Sequence, residues 1–351
     1  MKTVSIIHLG IGRVGRKVIE LISGQSDAWS KEFGVDVRYC GVFTSKGGLY
    51  DAKGIPLSSI VREQIPLSSS FFPIDCIANT PKPFIVIDTT ASEETLPVLI
   101  VALRRGGYVV LSNKKPLSGS QRDFNRLMSI ARNRLYFETT VGAGLPAIQT
   151  LRTLLATGDT PLSIQGCLSG TLGFMCSEME KGVLYSEAVA QAKKQGFTEP
   201  DPRDDLSGMD VARKALILGR TTGLKLELKD VQRTSLYPKC FASCSVEEFL
   251  KQAEEVNKEY GDRFAAAKKK KSTLRYIATI RPVGISVGLT EVPLSSSIGR
   301  LAGPDNLIKF ETKRYHKQPL VIQGPGAGID VTAAGVVGDI VHILQIIGCG
   351  G

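Results

Sequence analysis

The chain is poor in the residues that build metal and thiol sites. It has three histidines, His8, His316 and His342, none at metal-ligand spacing with another ligand residue. Its seven cysteines are odd in number and include no Cys-x-x-Cys pair. That pattern argues for free, buried thiols in a reducing compartment and against a zinc or thiol-based enzyme. Long apolar runs are lacking as well. The stretch from Val336 to Ile347 contains Asp339 and His342, which makes it too short and too polar to span a bilayer. Only Met1, Lys2 and Thr3 precede the first strand pattern, so no signal or transit peptide is expected. The expected compartment is the cytoplasm, or a plastid if a transit segment has been removed, and no membrane is expected as a partner.

What is present suits one large or two medium domains: 351 residues, 42% hydrophobic and 22% charged. Lys and Arg exceed Asp and Glu by 44 − 34 = 10. Such a bias fits either nucleic-acid binding or a solvated surface that attracts anionic metabolites. Four of the ten charges sit in Lys268-Lys269-Lys270-Lys271, with no aromatic stripe beside them. A solvated element end is the better reading, and no nucleic-acid partner is expected.

The first ~140 residues alternate strand-like runs (Val4–Leu9, Val37–Phe43, Phe84–Asp88, Tyr108–Ser112, Leu135–Thr139) with helical ones (Val14–Ile22, Glu93–Arg105, Gln121–Arg132). That alternation predicts a parallel sheet covered on both faces. Residues 44–83 read as an irregular crossover, with a short helix near Ser58–Glu63. After Gly142, helical stretches (Leu145–Thr157, Thr171–Glu180, Ser186–Lys194, Met209–Thr222, Val246–Tyr260) precede strands at Leu274–Ile280, Ile285–Thr290 and Asn306–Thr312. A hairpin turn at Arg281–Gly284 joins the first two. A glycine-rich turn, Gln323–Gly328, leads to a final helix over Asp330–Ile347. The fold class is α/β: a doubly wound, Rossmann-type parallel sheet with a second, α+β domain for substrate and dimerisation. The expected domains are 1–141, 142–323, and a 324–351 segment returning to the first.

Gly10-Ile11-Gly12-Arg13-Val14-Gly15 fits G-x-G-x-x-G between a strand and a helix. Its glycines serve a tight turn, approach of a pyrophosphate, and close helix–strand packing. The second strand ends Val42-Phe43-Thr44-Ser45-Lys46-Gly47, without the acid that binds a ribose 2′-hydroxyl. That favours NADP, or use of both nucleotides, over strict NAD, with Lys46 and Arg13 as either 2′-phosphate contacts or solvated charges. Asp88-Thr89-Thr90 and Ser112-Asn113-Lys114-Lys115-Pro116 end two further strands, where open α/β sheets bind ligands.

Residues 192–214 are the richest stretch. Two prolines, Pro200 and Pro202, predict an extended loop, and a new helix starts near Ser207–Met209. Glu199, Asp201, Asp204, Asp205 and Asp210 crowd together at a cost in repulsion unless cations offset it. Asp210 and Lys214 share one helix face. They form an exposed i,i+4 pair, or Asp210 closes a capping box with Ser207. Alternatively, Lys214, beside the apolar stripe Val211, Ala215 and Leu218, serves as a partly buried proton donor and acceptor.

This segment resembles the homoserine dehydrogenase signature from Ala192 to Lys214. The resemblance extends to the N-terminal glycine motif, Asn113-Lys114-Lys115, residues 138–146, Ser169-Gly170-Thr171 and the C-terminal glycine-rich turn. It implies NAD(P)-dependent interconversion of L-aspartate 4-semialdehyde and L-homoserine, in the route to threonine, methionine and isoleucine. Lys214 is then the proton donor, with Lys114 assisting. Glu199 and Asp210 bind substrate, with Gly170 and Thr171 beside them. Thr44, Thr90, Lys114, Gly326 and Gly328 join the glycine motif as cofactor contacts. Glu138, Val141, Ala143 and Leu145 match a monovalent-cation site suited to sodium, although Gly142-Ala143-Gly144 also reads as a domain hinge. A homodimer is implied. No kinase segment precedes the glycine motif and no room for an ACT domain follows the last helix, so neither fusion is expected.

Overall fold

A computed structural model of the protein describes residues 1–61 and 67–349. The chain divides into two compact units, Met1–Gly144 with Gly328–Gly351, and Leu145–Ala327.

Unit 1 carries β1 (Lys2–Leu9), β2 (Val35–Thr44), β3 (Gly47–Tyr50), β4 (Phe84–Asp88), β5 (Tyr108–Leu111) and β6 (Leu135–Tyr136). Their order is β3-β2-β1-β4-β5-β6. All pairings are parallel except that β3 folds back antiparallel on β2. β1 is buried without interruption from Val4 to Leu9, and β4 along its whole length. This is the signature of strands covered on both faces. The direction of winding reverses between β1 and β4, so their carboxyl ends frame the crevice where such sheets take ligands.

The first helix runs Arg13–Phe33, well past the expected Ile22, because Trp29 continues the buried stripe of Val18, Ile19 and Ile22. It packs on the last helix, Ile329–Cys349. By length and composition Ile329–Gly348 could cross a membrane, contrary to the sequence expectation, which took the apolar run as starting only at Val336. Here Ala333, Val336, Ile340, Ile343 and Leu344 are wholly buried in the same core cluster as Val18, Ile19 and Ile22. The strand expected over Leu135–Thr139 stops at Tyr136 and becomes a 3-10 turn, Glu138–Thr140. The Glu138 N–H donates to Asp339 Oδ2 at 3.0 Å instead of entering a ladder. The irregular crossover contains β3 and helices Leu57–Val61 and Pro73–Asn79. Residues 62 and 63 of the expected short helix lie outside the described residues.

Unit 2 carries β7 (Pro161–Cys167), β8 (Gln232–Arg233), β9 (Ser272–Arg281), β10 (Gly284–Pro293), β11 (Asn306–Thr312) and β12 (Leu320–Gly324). The order is β12-β11-β7-β9-β10-β8, antiparallel apart from the short β8–β10 pair. Helices Gly170–Glu180, Met209–Thr221 and Asn257–Lys269 pack on β9. The single helix expected over Val246–Tyr260 is three pieces: Val246–Gln252, a 3-10 turn Ala253–Val256, and Asn257–Lys269. Phe249, Ala253, Val256 and Tyr260 stay buried across the breaks, so the apolar period survives where the helix does not.

Candidate functional site

In unit 1 the three motif glycines have three distinct surroundings. Gly10 adopts φ +86°, and a Cβ there would lie 2.7 Å from the Thr90 methyl group. A Cβ on Gly15 would lie 2.1 Å from the Gly10 carbonyl oxygen, so only hydrogen fits. A Cβ on Gly12 would meet nothing within 4 Å, leaving open space above the turn. Gly12 caps the Arg13–Phe33 helix without a side-chain hydrogen bond, and no acid occupies the first turn. Backbone N–H groups and a helix N-terminus facing open space suit a pyrophosphate. Ile11 is buried, Val14 half-buried, and Arg13 exposed at the first helical position.

The ends of β4 and β5 are locked together. Asp88, fully buried, accepts from the Thr90 N–H (2.9 Å), the Thr90 hydroxyl (2.7 Å) and the Asn113 amide (3.1 Å). The same Asn113 amide donates to Ser92 O at 2.7 Å, and its oxygen accepts from the Lys115 N–H at 3.1 Å. Asn113 therefore fixes the turn that presents Lys114, half-buried at the head of the Lys115–Ser118 helix. Lys115 turns to Glu93 at 3.1 Å. At the end of β2, Thr44 pairs with Gly47 and its hydroxyl accepts from the Lys46 N–H at 3.1 Å. Lys46 is thus exposed at a hairpin tip. Glu138 is buried, and Gly142 and Ala143 both take positive φ, +79° and +52°.

In unit 2 the acidic segment is sorted by its partners. Lys214 is 9% exposed; its ammonium donates to Leu168 O at 2.7 Å, just past β7, and pairs with Asp210 Oδ2 at 2.8 Å. The Asp210–Lys214 pair is thus half-buried rather than a surface pair. No capping box joins Ser207 to Asp210: Gly208 caps the helix at φ +70°, and Ser207 Oγ accepts from the Met209 N–H at 3.2 Å. A Cβ on Gly208 would sit 1.9 Å from the Tyr276 hydroxyl. The extended loop expected from the two prolines is interrupted by a short helix, Pro202–Leu206, because proline is tolerated at the first helical position. Asp201 caps that helix and grips Arg203 at 2.7 Å. The Arg203 guanidinium, through this hydrogen bond, holds the Asp201 carboxyl below its ordinary range.

Asp205 is, with Asp201 and Asp204, one of the three acids that the sequence pattern left without a role. Its Oδ2 accepts from the Glu199 N–H at 2.8 Å, and its Oδ1 from the Thr171 hydroxyl at 3.3 Å. Burial raises its pKa, and the nearby Glu199 and Asp210 carboxylates add to that rise. The single Thr171 hydroxyl proton is shared between Asp205 and Phe197 O, so Thr171 fastens the acidic segment to the start of the Gly170–Glu180 helix. Gly170 lies against Pro304. Leu168, Asp210 and Lys214 therefore form one bonded group, and Thr171, Asp205 and the Glu199 backbone another; the Asp205 and Asp210 carboxylates are near enough to feel each other's charge, and the Glu199 side chain is exposed. The Leu168 carbonyl carried no sequence signal; Asp205 could have been flagged by its place before buried Leu206 in the turn. A Cβ on Gly326 would strike the Asn306 side chain at 1.9 Å, which makes that glycine a packing position within unit 2. Gly328 takes φ +127° in unit 1.

Comparison with known proteins bears on both units. The family model described as homoserine dehydrogenase matches residues 146–341, and that described as homoserine dehydrogenase, NAD binding domain, matches residues 10–137. A bifunctional aspartokinase/homoserine dehydrogenase from Haemophilus influenzae is 36% identical over 356 residues, covering 98% of this chain and 43% of that protein. The chain spans about two fifths of the length of such curated relatives. Among solved structures, a protein of unknown function from Candida auris superposes with TM-score 0.90 at 28% identity, covering 98% of this chain and 99% of that one. A putative homoserine dehydrogenase from Archaeoglobus fulgidus follows at TM-score 0.80 and 26% identity, with 98% and 99% coverage.

Proposed function

We propose a function from one premise: the chain belongs to the homoserine dehydrogenase family. The proposed reaction is NAD(P)-dependent interconversion of L-homoserine and L-aspartate 4-semialdehyde. The observation that carries it is the buried Lys214 ammonium, held by Leu168 O and Asp210. Two of its three N–H donors have these partners, which leaves one for a substrate oxygen. When bound, the nicotinamide supplies or accepts the hydride at the substrate carbon. Lys214 holds the proton at the oxygen of that carbon and stabilises the negative charge that develops there. Asp210 orients the ammonium. Glu199, its backbone clamped by Asp205, offers an exposed carboxylate to the substrate's α-ammonium group. Thr171 and Gly170 set the start of the helix beside it.

In unit 1, Gly10, Gly12 and Gly15 with the N–H groups of Ile11, Arg13 and Val14 take the pyrophosphate. Thr90 and Lys114, fixed by Asp88 and Asn113, line the approach to the nicotinamide end. The missing acid after β2, with Thr44 and Lys46 at that strand end and Arg13 exposed at the head of the first helix, supports NADP over NAD. A sodium ion on the 138–143 segment, a homodimer and a cytoplasmic location complete the proposal. Among the described residues no cluster of three or more His, Cys, Asp or Glu gathers, so backbone carbonyls would be the main cation ligands. NADPH oxidation measured with aspartate semialdehyde against other amino-acid semialdehydes tests the reading. Strong preference for aspartate semialdehyde is expected; equal rates across the panel would point to a broader reductase.

A further inference from the structure

Beneath the glycine turn lies a row of polar side chains outside the G-x-G-x-x-G motif. His8 on β1 is fully buried. Its Nδ1 lies 3.3 Å from the hydroxyl of Tyr39 on β2, and its Nε2 lies 3.0 Å from the hydroxyl of Thr89, just past β4. The Thr89 hydroxyl in turn donates to the Gly10 carbonyl. It also packs under Gly15, where a Cβ would come within 2.9 Å of it.

Proton counting sets the direction of this row. Thr89 has one hydroxyl proton and gives it to Gly10, so it must accept from His8 Nε2–H. Burial pushes the His8 imidazole down to about 3, so the ring is neutral and carries a single proton. Nδ1 is then an acceptor, and the buried Tyr39 hydroxyl donates to it. Every bond runs one way: Tyr39 to His8, His8 to Thr89, Thr89 to the Gly10 carbonyl.

The last bond fixes a peptide plane. In a trans peptide the C=O of one residue and the N–H of the next point in opposite directions. With the Gly10 carbonyl drawn inward onto Thr89, the Ile11 N–H is turned the other way. We propose that His8 and Thr89 are positioning residues for the nucleotide, orienting the Gly10–Ile11 peptide so that the Ile11 N–H meets the pyrophosphate. This rests on the reading of unit 1 as a nicotinamide-nucleotide site.

NADPH binding followed by its fluorescence in the full chain tests the inference. Thr89→Val, which keeps the shape and removes the hydroxyl, should weaken NADPH binding roughly three- to ten-fold, the scale of one lost hydrogen bond. Thr89→Ser should bind as the wild type does. His8→Leu should match Thr89→Val, and His8→Gln, whose amide N–H can replace Nε2–H, should recover most of the loss. The His8→Leu/Thr89→Val double variant should be no worse than Thr89→Val alone, since both break one row. The homoserine KM should stay unchanged throughout. If His8→Leu does not fold, the Thr89→Val and Thr89→Ser pair decides. Equal NADPH affinity in that pair would overturn the positioning role; failure of the wild type to bind NADPH would overturn the reading of unit 1 instead.

Discussion

The glycine turn of unit 1 and the acidic segment of unit 2 are built on opposite plans. The turn works through backbone: side chains are excluded at Gly10 and Gly15, while Gly12 leaves space open. The acidic segment works through side chains, and like residues there hold unlike roles. Asp201 caps a helix and binds Arg203, Asp205 clamps the Glu199 backbone, Asp210 holds Lys214, and Glu199 and Asp204 are exposed. A backbone site declares itself by what each position cannot carry. A side-chain site declares only its ingredients, and the partners assign the work.

Substitutions can break or sharpen this contrast. The largest effect is expected at Lys214→Ala: kcat should fall about 10²–10⁴-fold, the usual weight of general acid–base catalysis, with NADPH affinity preserved. Unchanged kcat would remove Lys214 from the mechanism. Next come the glycines. Gly15→Ala should destabilise unit 1 by about 1–3 kcal/mol, because its methyl meets backbone that cannot move aside. Gly12→Ala should melt as the wild type does yet bind NADPH poorly, since its methyl enters the space left for phosphate. Identical melting of the two variants would contradict the three-role assignment.

Glu199→Ala should raise the homoserine KM about tenfold or more, on the scale of a lost charge-assisted hydrogen bond, without altering the nucleotide KM. Asp201→Asn probes stability instead. Because Arg203 holds the Asp201 carboxyl below its ordinary range, its folded pKa lies below its unfolded one. The stabilisation is full above about pH 4 and is lost as pH falls further through the folded value. The gap in urea midpoint between wild type and Asp201→Asn should therefore hold from neutral pH to about pH 5 and close below about pH 4. A gap that persists into strong acid would count against the pairing. Lys46→Ala should have the smallest effect, a few-fold drop in preference for NADP over NAD, in line with an exposed charge.

Much of this was legible in the sequence, and the parts that were not have two causes: weak local patterns and partners distant in the chain. β4 and β11 match the expected bounds, Phe84–Asp88 and Asn306–Thr312, because their apolar runs are compact and bounded by turn residues. β7 escaped because Pro161 opens it and Gln165-Gly166 interrupts it. β12 escaped because its last residue, Gly324, belongs to a glycine-rich turn. The strand expected over Leu135–Thr139 was cut short by Asp339, 201 residues away. In the site, the glycine motif and the Asp210–Lys214 spacing were readable from local pattern. The Leu168 carbonyl on Lys214, the Thr171 hydroxyl on Asp205 and the row from Tyr39 to Gly10 depend on residues far apart in the chain. No local pattern encodes them.

The most direct measurement of the central claim is nucleotide reduction by the purified protein with L-homoserine, run in parallel with NADP⁺ and NAD⁺. The account predicts homoserine-dependent reduction with a higher kcat/KM for NADP⁺. Absence of homoserine-dependent reduction with either nucleotide would contradict it.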